Sequence, residues 1–165
     1  MDLLGISADD ERRKFTKLLN PLTEDQSVMR TMLLPGLLDN NRHNINHQKL
    51  DVSFFEIGKV FIQQTESDQP HEPTMFSAII CGQRYPGSIP LYFSGSQADV
   101  YDLKGVAQTL FDTLALTGND GDISFLINGD DHQPYCDSSF NMQIMDGSLQ
   151  IGTLGKVNDK TLKDF

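Results

Sequence analysis

Long apolar runs are missing from this chain, which nowhere approaches the roughly 18 apolar residues of a membrane-crossing helix. Its start, Met1-Asp2-Leu3-Leu4-Gly5, lacks the basic opening and apolar stretch of a secretion signal. Cysteine is scarce too: Cys81 and Cys136 stand without motif spacing, which fits a reduced, cytoplasmic setting. Basic residues are few, 13 Lys and Arg against 23 Asp and Glu, for a net charge of −10. Gripping nucleic acid depends on neutralising phosphates with Lys and Arg, so this chain is a poor candidate for holding RNA alone. There is no internal repeat and no low-complexity tract. What remains is 165 residues with 38% hydrophobic content, enough for one soluble domain with a real core.

The most informative stretch is Asn20 to Phe61. Thr23 precedes Gln26 by three positions, the reciprocal arrangement that satisfies free N–H groups at a helix start. Pro35, tolerated where a helix begins, stands among Leu33, Leu34, Leu37 and Leu38 and predicts a second helix from Pro35 to Asn46. Val52 to Phe61 is β-branched and aromatic, which predicts a buried strand rather than a water-facing edge. Glu56 sits inside that run. A desolvated carboxylate needs a partner, and Arg30, expected on the preceding helix, is the nearest available.

Elsewhere the reading is coarser. Residues 1–13 form a charged lead-in or short helix, and Phe15 to Leu19 reads as a short strand. Gln63 to Pro73 is a surface loop, Met75 to Cys81 a strand, and Arg84 to Gln97 an irregular connection pinned by Leu91, Tyr92 and Phe93. Leu103, Val106, Ala107, Leu110, Phe111 and Leu114 recur at helical spacing, predicting a core-facing helix over 103–116 capped by Gly118. Ile123–Ile127, Phe140–Met145 and Leu149–Val157 are strands, the last two joined by a hairpin at Asp146-Gly147. The fold class expected is α+β, an antiparallel or mixed sheet flanked by helices.

Candidate chemistry is thin. His43 and His47 share a helix face without a third ligand at a recognisable spacing. Asp120, Asp122, Asp130 and Asp131 do not follow a calcium-loop pattern. His132, Cys136 and Ser138 have nothing to orient them as base and nucleophile. No catalytic, cofactor-binding or metal-binding residue is assigned, and an independent hydrolase has no supporting constellation.

One family resemblance covers much of the chain. Asn20-Pro21-Leu22, Ser27-Val28-Met29-Arg30-Thr31, Leu33-Leu34-Pro35-Gly36-Leu37-Leu38 and Phe55-Glu56-Ile57-Gly58 with Val60-Phe61 resemble the bacterial phenylalanyl-tRNA synthetase β subunit, in its catalytic-like module. Tyr101-Asp102-Leu103-Lys104-Gly105 and Ile151-Gly152-Thr153-Leu154-Gly155 extend the likeness. It implies a class II synthetase-like core over residues 20–165, incomplete at both ends, behind a lead-in and first strand over 1–19. It also implies a fragment of a longer subunit that pairs with a catalytic α subunit in an (αβ)₂ assembly charging tRNA(Phe) with ATP and Mg²⁺. The tRNA would be met through other modules. The chain departs from the pattern at His132-Gln133-Pro134-Tyr135-Cys136-Asp137-Ser138, where the family carries a His-Pro-Gly-Arg-Ser-like stretch. It departs again at Asn158-Asp159, where the family has His-Pro.

Forming an adenylate needs cationic groups on the phosphates. Arginine occurs here only at Arg12, Arg13, Arg30, Arg42 and Arg84, and the active cores' Arg after the motif strand is replaced by Lys59 and its neighbours. The expectation is a non-catalytic module binding no cofactor itself. Asn20, Pro21, Arg30, Leu37, Leu38, Phe55, Glu56, Gly58, Lys104 and Gly105 are the expected framework or interface residues. The alternative is a free-standing synthetase-like module that binds an amino acid, as a sensor or regulator.

Overall fold

The computed structural model describes residues 1–23, 27–63, 69–87, 91, 95–116, 123–127 and 132–165. They fall into two units, Met1–Asp2 with Ile6–Cys81, and Leu3–Gly5 with Gly82–Phe165. The class is α+β, with two small antiparallel sheets and three α-helices among the described residues. None of these helices is long and apolar enough to cross a membrane.

In the first unit, helix α1 spans Leu34–Asn46. Pro35 occupies its first turn, where a missing N–H costs nothing, and Leu37, Leu38 and Asn41 form its buried stripe. Asn41 leaves its side-chain oxygen buried without a hydrogen-bond partner. The helix ends at His47, and Gln48 follows in the left-handed region (φ 62°). Strand β1 (Val52–Lys59) then pairs antiparallel with β2 (Thr74–Cys81), from Val52 opposite Cys81 to Lys59 opposite Thr74. Leu33, Val52 and Val60 are buried with the α1 leucines.

Two expectations fail here. The helix start expected at Thr23 to Gln26 lies mostly outside the described residues, but Ser27 to Arg30 are not helical, so Arg30 is not on a helix. The strand expected at Phe15–Leu19 reduces to one bridge, Lys17 opposite Val28, held by two backbone bonds of 2.8 and 2.9 Å. Leu18 and Leu19 stay exposed, so a longer strand here would bury no apolar face.

In the second unit, helix α2 spans Val100–Thr113 and starts earlier than its apolar spacing predicts. The start is fixed by a reciprocal cap: Asp99 accepts from the Tyr101 and Asp102 N–H groups, and Asp102 accepts from the Asp99 N–H. Val100 is buried with Met142, Ile144 and Leu154, and Leu103, Ala107, Phe111, Ile123 and Phe125 pack against them. Val106 and Leu114 point to solvent instead, so only part of the expected stripe is core. The helix runs out at Leu114 and Ala115 (φ 50°); Gly118 lies outside the described residues, as do Tyr92 and Phe93.

Strands β3 (Ser124–Ile127), β4 (Cys136–Asp146) and β5 (Leu149–Val157) form the second sheet in that order. Gly147 (φ 57°) supplies the positive φ of the tight β4–β5 turn. β4 is longer than expected and irregular between Cys136 and Asn141, where the buried Asn141 amide donates to the Ser138 carbonyl at 2.9 Å. Gly155 faces this irregularity. A Cβ there would stand 2.9 Å from the Phe140 oxygen and 3.1 Å from the Cys136 sulfur. Helix α3 (Asp159–Asp164) closes the chain, capped by Asn158, whose oxygen accepts from the Thr161 N–H at 2.8 Å.

Asp10 anchors the lead-in of the first unit by binding Arg12 through its backbone N–H and guanidinium, at 2.7 to 2.9 Å. That guanidinium holds the Asp10 carboxyl down to about 2. A depressed carboxylate stabilises the fold above its unfolded pKa, and the effect fades as pH falls through the folded value. Asp10→Asn should therefore lower stability near neutral pH. The difference from wild type should shrink between about pH 4 and about pH 2, measured by urea unfolding across that range.

Candidate functional site

Arg30 crosses the Glu56–Gly58 face of β1 and is held there by three groups. Its Nη1 donates to Glu56 Oε1 at 2.5 Å and its Nε to the Lys59 carbonyl at 3.0 Å. Its own carbonyl accepts from the Phe61 N–H at 2.9 Å. The guanidinium lies over Gly58: a Cβ on that residue would stand 2.4 Å from Arg30 Nη2. Both charged side chains are partly exposed, 46% for Arg30 and 31% for Glu56. An ion pair so wet is worth only about 0.2–1 kcal/mol. Its effect is geometric, because it ties the segment before α1 to the strand after it.

The other face of the ribbon is apolar and open. Alternation along β1 turns Phe55 and Ile57 away from α1, and they remain 69% and 65% exposed. Phe76, opposite Ile57, is 50% exposed, and its ring stacks on Phe55 with centroids 6.2 Å apart. Ala78 and Ile80 continue this face on β2. Lys59 Nζ bonds Glu72 at 2.9 Å at the end of the ribbon. The strand expected to be buried faces the interior on one side only, through Val52 and Phe54, and leaves Phe55 and Ile57 exposed on the other. Its run of apolar residues reflects an exposed patch, not a central strand, and such patches mark contact sites.

In the second unit Arg84 clamps the α2 cap, with Nη2 2.7 Å from Asp99 and Nε 2.8 Å from Asp102. The Asp99 N–H and then Arg84 hold the Asp102 carboxyl below its usual range. Lys104 Nζ stands 5.3 Å over the Phe125 ring. Gly105 is exposed, facing a shallow groove of about 650 Å³ along Tyr101, Asp102, Val106, Thr109, Leu110 and Thr113. Its only charged group, Asp102, is already bonded, which leaves little to hold an amino acid's two charges.

Of the residues expected to form a framework or interface, Arg30, Glu56 and Gly58 come together, with Phe55 on the reverse of the same strand. Leu37 and Leu38 are core, Asn20 and Pro21 exposed loop residues, and Lys104 and Gly105 belong to the other unit. Ile57 and Phe76 join this face although neither is among the expected framework residues; the alternation through Phe55 and Ile57 carries the signal. Among the described residues no three His, Cys, Asp or Glu side chains are placed to hold a metal ion. Burial pushes the Cys136 thiol up to about 11, which makes it a poor nucleophile. Asp120, Asp122, Asp130 and Asp131 lie outside the described residues.

Every arginine of the chain is paired with a carboxylate: Arg12 with Asp10, Arg13 with Asp2, Arg30 with Glu56, Arg42 with Asp39, and Arg84 with Asp99 and Asp102. Over residues 1–165 the sequence matches the family described as phenylalanyl tRNA synthetase beta chain CLM domain. The chain belongs to that family. It is 38% identical over 167 aligned positions to the phenylalanine–tRNA ligase beta subunit of Desulfotalea psychrophila, covering 99% of this chain and 20% of the relative. The beta subunit of Syntrophus aciditrophicus is 45% identical over 118 positions, 71% of this chain and 14% of the relative. That of Geobacter metallireducens is 35% identical over 165 positions, 100% and 20%. The chain thus spans about one fifth of the length of the curated relatives it matches.

Gly58→Ala tests the Arg30 clasp. Added Cβ atoms in strands usually help by about 0.5–1 kcal/mol, because glycine is costly to order. Here the new methyl displaces the guanidinium, so that gain should be offset by the weakened pair and the substitution should be close to neutral in the wild type. In an Arg30→Ala background it should stabilise by about 0.5–1 kcal/mol. A double-mutant cycle by urea unfolding reads the difference; additive effects would contradict the clasp.

Proposed function

We propose that this chain is a non-catalytic structural module of a phenylalanine–tRNA ligase β subunit. In this reading a catalytic α subunit charges tRNA(Phe) with phenylalanine, using ATP and Mg²⁺, within a cytoplasmic (αβ)₂ assembly. The module is a relative of the class II synthetase core that has given up the chemistry and supplies contact surface. tRNA is held through other modules of the assembly.

The observation that carries this reading is the exposed apolar face of the β1–β2 ribbon, Phe55, Ile57 and Phe76, braced from behind by Arg30 and Glu56. Two exposed aromatic rings stacked on a two-stranded ribbon are suited to burial against a partner protein. The pairing of every arginine supports the silent half of the reading, since phosphate-binding arginines must be available to the nucleotide. A net charge of −10 agrees with contact through protein rather than RNA. The groove along α2 does not favour the amino-acid-sensor alternative, because it offers no free charged group.

The test is co-purification with the catalytic α subunit, followed by sizing. Exchanging exposed apolar residues for β-branched polar ones should leave stability within about 0.5 kcal/mol. Phe55→Thr with Ile57→Thr should therefore remain folded yet weaken the complex about tenfold or more, as loss of a central aromatic contact does. A double variant that binds as wild type moves the contact elsewhere. A wild-type chain that ignores the α subunit but is stabilised by free phenylalanine supports the sensor instead.

A further inference from the structure

The last turn of α1 carries a pair of side chains for which the scaffold role has no use. His43 and His47 stand four residues apart on one face, with ring centroids 4.3 Å apart and planes inclined by 39°. His47 Nδ1 lies 2.8 Å from the His43 carbonyl oxygen. A carbonyl oxygen only accepts, so Nδ1 carries the proton, and neutral His47 keeps its lone pair on Nε2. A ring N–H donated to a backbone carbonyl is the arrangement that orients metal-ligating histidines. Both residues are exposed, so water has access to complete a coordination shell.

Distance and electrostatics agree. Two bonds of about 2.0–2.1 Å to one ion place the ligand nitrogens about 3 Å apart, within side-chain torsions of rings whose centroids already stand 4.3 Å apart. The pair sits at the C-terminal, electronegative end of a 13-residue helix, where a cation is favoured. Arg42 beside it is paired with Asp39 at 2.9 Å, so its charge is partly cancelled.

We infer that His43 and His47 chelate a late first-row divalent cation, copper(II) more tightly than nickel(II) or zinc(II). Two histidines four apart on a helix are the spacing of helical zinc ligands. With no third protein ligand among the described residues, the site is open and exchangeable rather than structural.

The experiment titrates tag-free chain with copper, nickel and zinc chlorides by calorimetry, alongside copper paramagnetic resonance. Wild type should bind one ion per chain at this site, with nitrogen coupling from two imidazoles. His43→Asn or His47→Asn should each weaken binding at least tenfold, while His71→Asn and His132→Asn leave it unchanged. Binding that survives in the double variant His43→Asn/His47→Asn, or coupling to a single nitrogen, would overturn the assignment in favour of adventitious carboxylate binding. Should a variant unfold, protection of His43 and His47 from diethyl pyrocarbonate by copper in wild-type chain decides instead; absence of protection refutes the site.

Discussion

A single guanidinium determines how the β1–β2 ribbon is presented. Arg30 reaches across β1 to Glu56 and to the Lys59 carbonyl, and the absence of a side chain at Gly58 makes room for it. The pair is too exposed to contribute much free energy. What it fixes is orientation: one face of β1 is occupied by Arg30, Glu56 and the residues packed toward α1, so Phe55 and Ile57 are left on the other. Gly58 leaves room for the guanidinium on one face of β1, and strand alternation places Phe55 on the opposite face.

The same economy governs charge across the chain. Arginine is rare and each one is engaged by a carboxylate, in the lead-in, along helix α1, at the α2 cap or on strand β1. Planar bidentate donors would be the natural ligands for phosphate, but here they are engaged by carboxylates of the same chain. The net charge of −10 discourages contact with RNA. A member of a synthetase family that keeps its arginines to itself fits a structural role better than a chemical one.

Much of this was legible in the sequence, but unevenly. Helix α1, strand β2 and the β4–β5 hairpin follow from proline placement, β-branched runs and Asp146-Gly147, all local signals. The Arg30–Glu56 pair was also foreseeable, since a carboxylate within an apolar strand needs a cation. The exposure of Phe55 and Ile57 was not, because a hydrophobic run reads as burial whether its partner lies within the chain or outside it. The start of α2 was missed for another reason: Asp99 and Asp102 cap it with carboxylates, and the apolar spacing alone begins later, at Leu103. Capping chemistry and periodicity report different ends of the same helix.

The central claim is that the Phe55–Ile57–Phe76 face is covered in the working assembly. Hydroxyl-radical footprinting of this chain, alone and with the catalytic α subunit, measures that directly. The account predicts that oxidation of Phe55 and Phe76 falls sharply on assembly, while exposed Tyr85 serves as the reference outside the ribbon. Unchanged oxidation of both phenylalanines in a complex that has formed would contradict it.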